Sequence, residues 1–324
     1  MAMQTESRDA KKLHAERAHS YASVEEQHRK YIDPKSERIW SHFVENRRCP
    51  VCDSEKSLHV LDKRGGTYVK CSECTMVYTN PVATDEALKK YYGELDTKQG
   101  EIVQNESPFY KEIYSMGLAA IGRFKKSGAL LDIGCSTGFF LDIARAQKWD
   151  TYGVEPGAIE AEECRKKGHT LFVDTLENIQ FDRTFSAITL WDVFEHIPHG
   201  KRCLDLLGNI IEPGGIVFMQ IPNSDALAAR MMRERCNMFD GLEHTNLYNP
   251  QTIKLITEAR GFKIVEMKSV ISEIAVMNNY LSYEDPYFGE SRYDTVAGLL
   301  GLLDDAFIHT NLLGYKLQVV LQRK

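Results

Sequence analysis

The sequence predicts an α/β protein: a seven-stranded sheet with helices on both faces, preceded by a small cysteine-rich unit and a charged helical arm. From residue 129 onward, seven short apolar runs alternate with stretches of helical periodicity, and strands that alternate with helices usually pair in parallel. Two Cys-x-x-Cys pairs lie 18 residues apart within residues 49–74. Residues 1–46 alternate acidic and basic side chains with few apolar positions, which is typical of exposed helices.

The predicted strands are short, and each is followed by a turn or a helical segment. They are ALLDI (129–133), TYGV (151–154), TLFV (170–173), SAITLW (186–191), GIVFMQI (215–221), FKIVEM (262–267) and KLQVVL (316–321). The helix before the sixth strand has Asn249 as its predicted cap, Pro250 at its first position and Gly261 just past its end.

These elements divide the chain into four regions. We expect a charged helical arm over 1–46, a cysteine-rich unit over 47–80, a helical connector over 81–126 and the sheet domain over 127–324. Thr84 is the predicted N-cap of the connector helix, because acidic residues follow it in the first turn.

Composition excludes several classes of protein. The chain of 324 residues is 43% apolar and 27% charged, which suits a globular core rather than a disordered or collagen-like chain. Its net charge is -6; residues 1–126 carry 21 basic and 19 acidic side chains, and residues 127–324 carry 19 and 27. Neither part has the basic excess that is typical of a nucleic-acid-binding surface, so a nucleic-acid partner is not expected.

Export and membrane insertion are not expected either. The opening residues MAMQTESRDAKKL contain no apolar core of the kind that a signal peptide needs. The longest apolar run, near residues 296–303, is far shorter than the roughly 20 residues that span a bilayer. Eight cysteines are too few for a disulfide framework in a chain of this length, so we expect a reducing cytoplasm.

The four clustered cysteines predict a structural zinc site. Two residues separate the cysteines in each pair, so that both thiolates of a pair can reach one ion, and two pairs complete a tetrahedral set. The span between the pairs resembles two strands joined by a Gly-Gly turn, the outline of a zinc ribbon. The set is closed, so the metal would be structural rather than catalytic, and its binding energy would substitute for the core that so small a unit cannot build. We expect the ribbon and the sheet domain to have separate cores. The predicted ligands are Cys49, Cys52, Cys71 and Cys74.

A glycine turn after the first strand predicts a nucleotide-binding edge. In LLDIGCSTGFF (130–140), Gly134 and Gly138 let the backbone approach a ligand at a helix N-terminus. The dinucleotide pattern G-x-G-x-x-G is absent, because Ser136 and Phe139 occupy two of its glycine positions. The second strand ends at Glu155, 21 residues beyond Gly134, where a carboxylate can accept both ribose hydroxyls.

The order DIGCSTGFF, VEP, DTLENI, LWDVFEHI and the Gly214-Gly215 turn before IVFMQIPN is similar to that of class I S-adenosylmethionine-dependent methyltransferases. The resemblance covers about 127–324 and implies a Rossmann-like, seven-stranded methyltransferase sheet. It implies a glycine at the position of Ser136, where another small residue still fits. The cofactor-binding residues that it implies are Asp132, Gly134, Cys135, Gly138 and Asp192 around the methionine part, Glu155 with adjacent Pro156 at the ribose, and Thr175 and Leu176 at the adenine.

Upstream, CPVC…CSECTMVYTNP followed by YY resembles the zinc-ribbon module of bacterial sugar C- and O-methyltransferases. That resemblance implies that Glu243-His244 acts at the acceptor, with His244 as general base; its alternative is a structural histidine near the helix that starts at Pro250. His196, beside Glu195, is the second candidate base. The aromatic and acidic stretch NYLSYEDPYFGESRY (279–293) suggests a wall or lid for a polar acceptor, or an ordinary packed insertion.

Three functions remain open at this point. The first is methylation of an oxygen or carbon of a carbohydrate (a nucleotide sugar or glycan) or a related small metabolite. The second is RNA methylation with the ribbon as recognition module, since residues 47–70 hold six basic and three acidic side chains; the acidic sheet domain opposes it. The third is a catalytically inactive cofactor-binding scaffold, which the intact glycine turn and Glu155 oppose.

Overall fold

The structure is a computed structural model and describes residues 24–94, 107–271 and 305–324. The first half of the predicted arm and the stretch 279–293 lie outside these residues, so the proposed acceptor wall stays a prediction.

Short strands and two helices precede the main sheet, and residues 24–29 are also helical. The elements are β1 (Ile32–Asp33), β2 (Arg38–Ile39), a 3-10 turn (Ser41–Phe43), β3 (Val44–Glu45), β4 (Ser57–Lys63), β5 (Gly66–Cys71), β6 (Val77–Thr79), β7 (Val82–Ala83), α1 (Asp85–Glu94) and α2 (Ser107–Gly122). The hydroxyl of Thr84 accepts a hydrogen bond from the backbone N–H of Ala87 at 3.2 Å, which confirms the predicted start of α1.

The main sheet contains all seven predicted strands. The elements of the sheet domain in chain order are β8 (Ala129–Ile133), α3 (Phe139–Ala146), β9 (Asp150–Val154), α4 (Ala158–Lys166), β10 (Thr170–Phe172), β11 (Phe185–Trp191), α5 (Gly200–Ile210), β12 (Ile211–Pro222), α6 (Leu227–Met232), β13 (Asn246–Leu247), α7 (Pro250–Glu258), β14 (Phe262–Val270), α8 (Asp305–Thr310) and β15 (Lys316–Arg323). Further 3-10 turns are Leu176–Asn178, Phe194–His196 and Arg233–Arg235. Asn249 and Thr252 form a reciprocal capping box at the start of α7.

The strand order is β10-β9-β8-β11-β12-β15-β14, and the pairs among β8 to β12 are parallel. The carboxyl ends of β8, β9, β10 and β11 therefore meet at one edge, as the sequence predicts for the ligand site. The expectation of a wholly parallel sheet is wrong, because β15 runs antiparallel to both β12 and β14. An apolar run in the sequence indicates that a strand is buried but not which way the strand runs. Its direction depends on the end of the sheet at which the chain enters the strand.

The ribbon is joined to the sheet domain, so the expectation of separate cores is also wrong. Its sheet has the order β13-β6-β5-β4, and β13 comes from the sheet domain. One cluster of buried side chains contains Cys49, Cys71 and Met76 of the ribbon together with Leu131 and Phe194. The ribbon has too few apolar residues to fill a core of its own, and it buries them against the larger domain.

Candidate active site at the carboxyl edge of the sheet

The turn after β8 has the backbone conformation that its glycines predict. Gly134 has φ +72°, and its N–H donates to the carbonyl of Val154 at 2.8 Å. A Cβ on Gly134 would lie 2.6 Å from Cγ2 of Val193, so a side chain there would collide. Ser136 has φ +48°, a left-handed conformation that glycine adopts more easily, which agrees with the glycine implied by the resemblance at this position.

Glu155 lies at the end of β9 and contacts the turn after β8. Its two carboxylate oxygens accept hydrogen bonds from the backbone N–H groups of Ser136 at 2.9 Å and Gly157 at 2.7 Å. Burial raises the pKa of Glu155, although both N–H groups oppose that shift. Each carboxylate oxygen can accept a second hydrogen bond, so Glu155 remains able to hold two ribose hydroxyls.

Asp132 and Cys135 sit at the same edge but direct their side chains inward. The carboxyl group of Asp132 accepts a hydrogen bond from Thr189 at 2.6 Å, and burial raises its pKa to about 8. The thiol of Cys135 packs against β9, where a Cβ on Gly153 would lie 2.5 Å from it.

The loop after β10 is ordered by an acidic side chain. Asp174 accepts hydrogen bonds from the backbone N–H of Thr175 at 2.7 Å and from the side chain of Asn178 at 2.9 Å. Leu176 is buried in the main core. Two apolar side chains near these strand ends are exposed: Val173 comes directly after β10, and Ile159 lies in the first turn of α4. Along the chain they are close to Thr175 and Pro156, which suits an apolar ring such as adenine. The sequence analysis did not single out Ile159, because an apolar residue in a helix does not by itself indicate exposure.

Asp192 follows β11 and makes a partly buried ion pair. Its carboxylate accepts hydrogen bonds from Lys316 at 2.9 Å and Gln220 at 3.1 Å, and its φ is +54°. Lys316 belongs to β15, 124 residues away in the chain, and the sequence contains no signal for this pair.

A cluster of an acid and two imidazoles lies next to Asp192. Ligand atoms of Glu195, His196 and His244 are all within 4.8 Å of one another. Glu195 is fully buried, its two carboxyl oxygens have no hydrogen-bond partner among the described residues, and burial with the charge of Asp192 raises its pKa well above the usual range. Nδ1 of His196 lies 2.9 Å from the hydroxyl of Tyr92, and burial lowers the pKa of His196 to about 3. His196 is therefore neutral near pH 7.

His244 has a defined tautomer in its neutral form. Its Nδ1 lies 2.8 Å from the backbone carbonyl of Met238, and because a carbonyl only accepts, Nδ1 carries the hydrogen. Nε2 is then left with a free lone pair. Asp240 lies 3.3 Å from Nδ1 and also accepts the backbone N–H of His244. The structure thus brings together His196 and His244, the two candidate bases, with ring centroids 4.7 Å apart.

Glu243 points to the connector helix rather than to His244. The hydroxyl of Tyr91 donates to Glu243 at 2.5 Å, and burial raises the pKa of Glu243 to about 7. Sequence reasoning noted the Tyr91-Tyr92 pair only as part of the upstream resemblance, yet both side chains contact the predicted acid-base residues. His28 of the arm is buried too, and its ring lies 6.2 Å from that of Tyr91.

The four clustered cysteines form two knuckles of the same geometry. The N–H of Asp53 donates to the carbonyl of Cys49 at 3.0 Å, and the N–H of Thr75 donates to that of Cys71 at 3.1 Å. Asp53 and Thr75, each directly after the second cysteine of its pair, both have positive φ, at 61° and 69°. Sequence spacing predicts two equivalent turns, and the backbone has them.

The sulfur positions fit one zinc ion. The Sγ atoms of Cys49 and Cys74 are 3.5 Å apart, as are those of Cys52 and Cys71, and all four lie within 4.8 Å of one another. Tetrahedral ligands at a Zn–S distance of about 2.3 Å would be about 3.8 Å apart. The donor set is closed, which suits a structural rather than a catalytic metal.

Comparison with known proteins agrees with this fold. A family model described as a methyltransferase domain matches residues 109–267. The mitochondrial ubiquinone biosynthesis O-methyltransferase of Dictyostelium discoideum is 32% identical over 56 residues, so the match spans only 17% of this chain and 17% of that protein.

Two solved structures share the fold. The putative methyltransferase in a complex with the Haloferax volcanii Trm112 methyltransferase activator has a TM-score of 0.51 and 12% identity, over 72% of this chain and 96% of that one. The plantazolicin methyltransferase BpumL, solved with a pentazolic desmethylPZN analog and SAH, has a TM-score of 0.50 and 16% identity, over 74% of this chain and 95% of that one.

Within the described residues, no helix has both the length and the apolar character needed to cross a membrane. The glycine turn, the acidic strand ends, the seven-stranded order and the matched family model all lead to the same assignment. This chain carries a methyltransferase domain of the class I S-adenosylmethionine-dependent type over residues 109–267.

Proposed function

We propose that this protein transfers a methyl group from S-adenosylmethionine to an oxygen or carbon of a carbohydrate, in a nucleotide sugar or glycan, or of a related small metabolite. The observation that carries the proposal is the group of buried and partly buried side chains formed by Tyr91, Tyr92, His196, Glu243 and His244 beside the end of β11. Hydroxyl, imidazole and carboxyl groups that line one region suit an acceptor with several hydroxyl groups.

The residues at the edge of the sheet would hold the cofactor. Glu155 accepts the ribose hydroxyls, and the turn around Gly134 with Asp192 borders the methionine part. Bound S-adenosylmethionine supplies a methyl group that is already activated. The protein therefore needs mainly to align the acceptor and to remove its proton.

His244 is the proposed proton acceptor. Its Nδ1–H is held by the carbonyl of Met238, so that Nε2 is free to take a proton. Asp240, 3.3 Å from Nδ1, stabilises the imidazolium that forms. Glu243 accepts a hydrogen bond from Tyr91, and it would contact the acceptor rather than orient the imidazole ring of His244. His196 is the alternative acceptor of the proton, although burial disfavours its charged form.

We further propose that one zinc ion binds the four clustered cysteines, in a reducing compartment such as the cytoplasm, where the thiols stay available. Arg47 and Lys63 of the ribbon are partly buried, and Arg48 and Lys56 pair with Glu55 and Glu73. Of the six basic side chains in residues 47–70, this leaves Arg64 and Lys70, which are exposed, so the basic surface for RNA is small and a small-molecule acceptor is favoured.

The test is a methyl-transfer assay with labelled S-adenosylmethionine against nucleotide sugars, glycan fragments and RNA, with the product position read by NMR. Labelled carbohydrate is the expected result. His244→Ala serves as the negative control. Label that enters RNA alone would replace the carbohydrate proposal. Tight binding of S-adenosylhomocysteine with no labelled acceptor in any class would favour a catalytically inactive scaffold.

A further inference from the structure

The buried hydroxyl of Tyr68, on ribbon strand β5, contacts the segment that carries the proposed base. It accepts hydrogen bonds from the backbone N–H groups of Asp240 at 3.2 Å and Gly241 at 3.1 Å, and it donates to the carbonyl of His244 at 3.1 Å. Tyr68 is fully buried, which raises the pKa of its hydroxyl and keeps it protonated and able to donate. One side chain of the ribbon thus makes hydrogen bonds to both ends of the turn 240–244.

The backbone of the ribbon touches the same turn. A Cβ on Gly66 would lie 2.0 Å from the carbonyl oxygen of Gly241, and a Cβ on Gly241 would lie 2.3 Å from that of Lys63. Gly241 also has φ +94°, which favours glycine. The side chain of Lys63 donates to the carbonyl of Cys236 at 3.0 Å. The β4–β5 turn therefore fits against residues 236–241 with no room for a side chain between them.

A second set of contacts holds the chain directly after His244. The guanidinium of Arg47 donates to the carbonyls of Thr245 at 2.7 Å and Pro198 at 3.0 Å, and the N–H of Thr79 also donates to Thr245 at 3.0 Å. Strand β13 then pairs with β6, with Asn246 opposite Tyr78. His244 is therefore held from both sides by the ribbon.

The strands that make these contacts lead to the cysteines. Cys71 is the last residue of β5, three positions after Tyr68, and β6 begins three positions after Cys74. An ion bound by the four thiolates would hold the ends of β5 and β6 together. Both strands contact residues 240–247, which we call the acceptor segment.

We propose that the metal-loaded ribbon positions the acceptor segment for catalysis, with Tyr68 as the positioning residue for His244. The proposal rests on the proposed function for the role of His244. The ribbon hydrogen bonds named above go to Pro198 and to residues 236–247 rather than to the turn after β8, so the ribbon in this view does not touch the cofactor. Loss of the Tyr68 hydroxyl should then affect turnover and acceptor binding but not cofactor affinity.

The test compares Tyr68→Phe with Tyr152→Phe in the zinc-loaded, full-length protein. Tyr152→Phe removes a hydroxyl that bonds to Asp150 at the other end of the sheet, and it serves as the matched control. In Tyr68→Phe, backbone hydrogen exchange should become about tenfold faster in residues 240–247 and remain unchanged near Glu155. Calorimetry should show the same affinity for S-adenosylhomocysteine, and kcat should fall about 10- to 100-fold with an acceptor identified by the labelled-methyl assay.

The outcomes separate this proposal from the proposed function. Unchanged exchange in residues 240–247 would overturn the positioning role, whether or not an acceptor is known. Exchange that increases throughout the chain would mean a general structural role and would also overturn it. Arg47→Lys is a second variant. Its shorter side chain lacks the guanidinium that donates to the carbonyl of Thr245, and faster exchange within 240–247 is again expected. If exchange changes as expected while no methyl transfer is found, the structural coupling stands and the proposed function fails.

Discussion

The carboxylate of Glu155 and the backbone N–H of Ser136 are joined by a hydrogen bond of 2.9 Å, which ties the end of β9 to the glycine turn after β8. The same carboxylate accepts the N–H of Gly157 at 2.7 Å. Glu155 thus helps to shape the turn that is proposed to border the methionine part of the cofactor, in addition to its proposed contact with the ribose.

Replacement of Glu155 by alanine should weaken S-adenosylmethionine binding by several-fold to a hundredfold. Two charge-assisted hydrogen bonds to the ribose are lost, each worth about 1.5–3 kcal/mol before water compensates. Calorimetric titration measures the change. Glu162→Ala, at an exposed position on α4, should bind the cofactor normally. An unchanged affinity in Glu155→Ala would show that the ribose binds elsewhere.

Replacement of His244 by alanine should lower turnover by about 10²–10⁴, the usual contribution of general acid-base catalysis. Cofactor affinity should change little, because Glu155 and the glycine turn lie in other loops. Glu243→Gln should have a smaller effect on turnover.

His59→Ala is the control for His244, since His59 is an exposed histidine on the ribbon and should not affect turnover. Near-normal turnover in His244→Ala would assign the proton transfer to His196, or show that no side-chain base is needed.

Freshly reduced protein should contain about one zinc per chain, and Cys71→Ser should remove most of it. Because the ribbon and the sheet domain share one cluster of buried side chains, loss of the metal should lower the stability of the whole fold, in a single thermal transition. Elemental analysis and calorimetry measure these quantities. Cys164→Ala, outside the cysteine cluster, should retain the metal; two separate transitions in the parent would contradict the shared core.

Stability of the ligand-free protein should fall as pH rises from about 4 to about 8, in part because of Asp132. Burial raises the pKa of Asp132 to about 8 in the folded state, so the folded protein holds a proton that the unfolded chain has released. The stabilisation is complete below the unfolded pKa and is lost as the pH passes the folded pKa, at up to about 1.4 kcal/mol per pH unit.

The variant Asp132→Asn should have a flatter dependence of unfolding free energy on pH over that window, measured by urea denaturation. Asp182→Asn, at a highly exposed position, should keep the slope of the parent. Equal slopes in the parent and in Asp132→Asn would mean that Asp132 is ionised in the folded protein.

Local sequence patterns predicted those parts of the site that lie within a few residues of one another. Cysteine spacing indicated the two knuckles, because two intervening residues allow both thiols of a pair to reach one ion. Gly134 and Gly138 indicated a turn with positive φ, and Glu155 indicated an acidic end to the next strand. Each inference depends on neighbours along the chain, and the structure places these residues at one edge of the sheet.

Sequence patterns could not predict the contacts between distant segments of the chain. The pair of Lys316 with Asp192, and that of Tyr91 with Glu243, join residues more than 120 positions apart. The residues around one member of such a pair do not indicate which residue is its partner, because the distance between the two depends on how the strands are ordered in the sheet. The direction of β15 was missed for the same reason.

The sequence by itself determined the α/β class, the seven strands and the four-cysteine cluster, and it predicted a ligand site at the carboxyl edge of the sheet. These follow from periodicity, spacing and turn chemistry, which are properties of short segments. Only the tertiary structure decided that the ribbon and the sheet domain share a core, and that Tyr68 and Arg47 hold the segment of His244. The physical reason is that a buried hydroxyl or guanidinium must find partners wherever the packed chain brings a carbonyl or an N–H within reach.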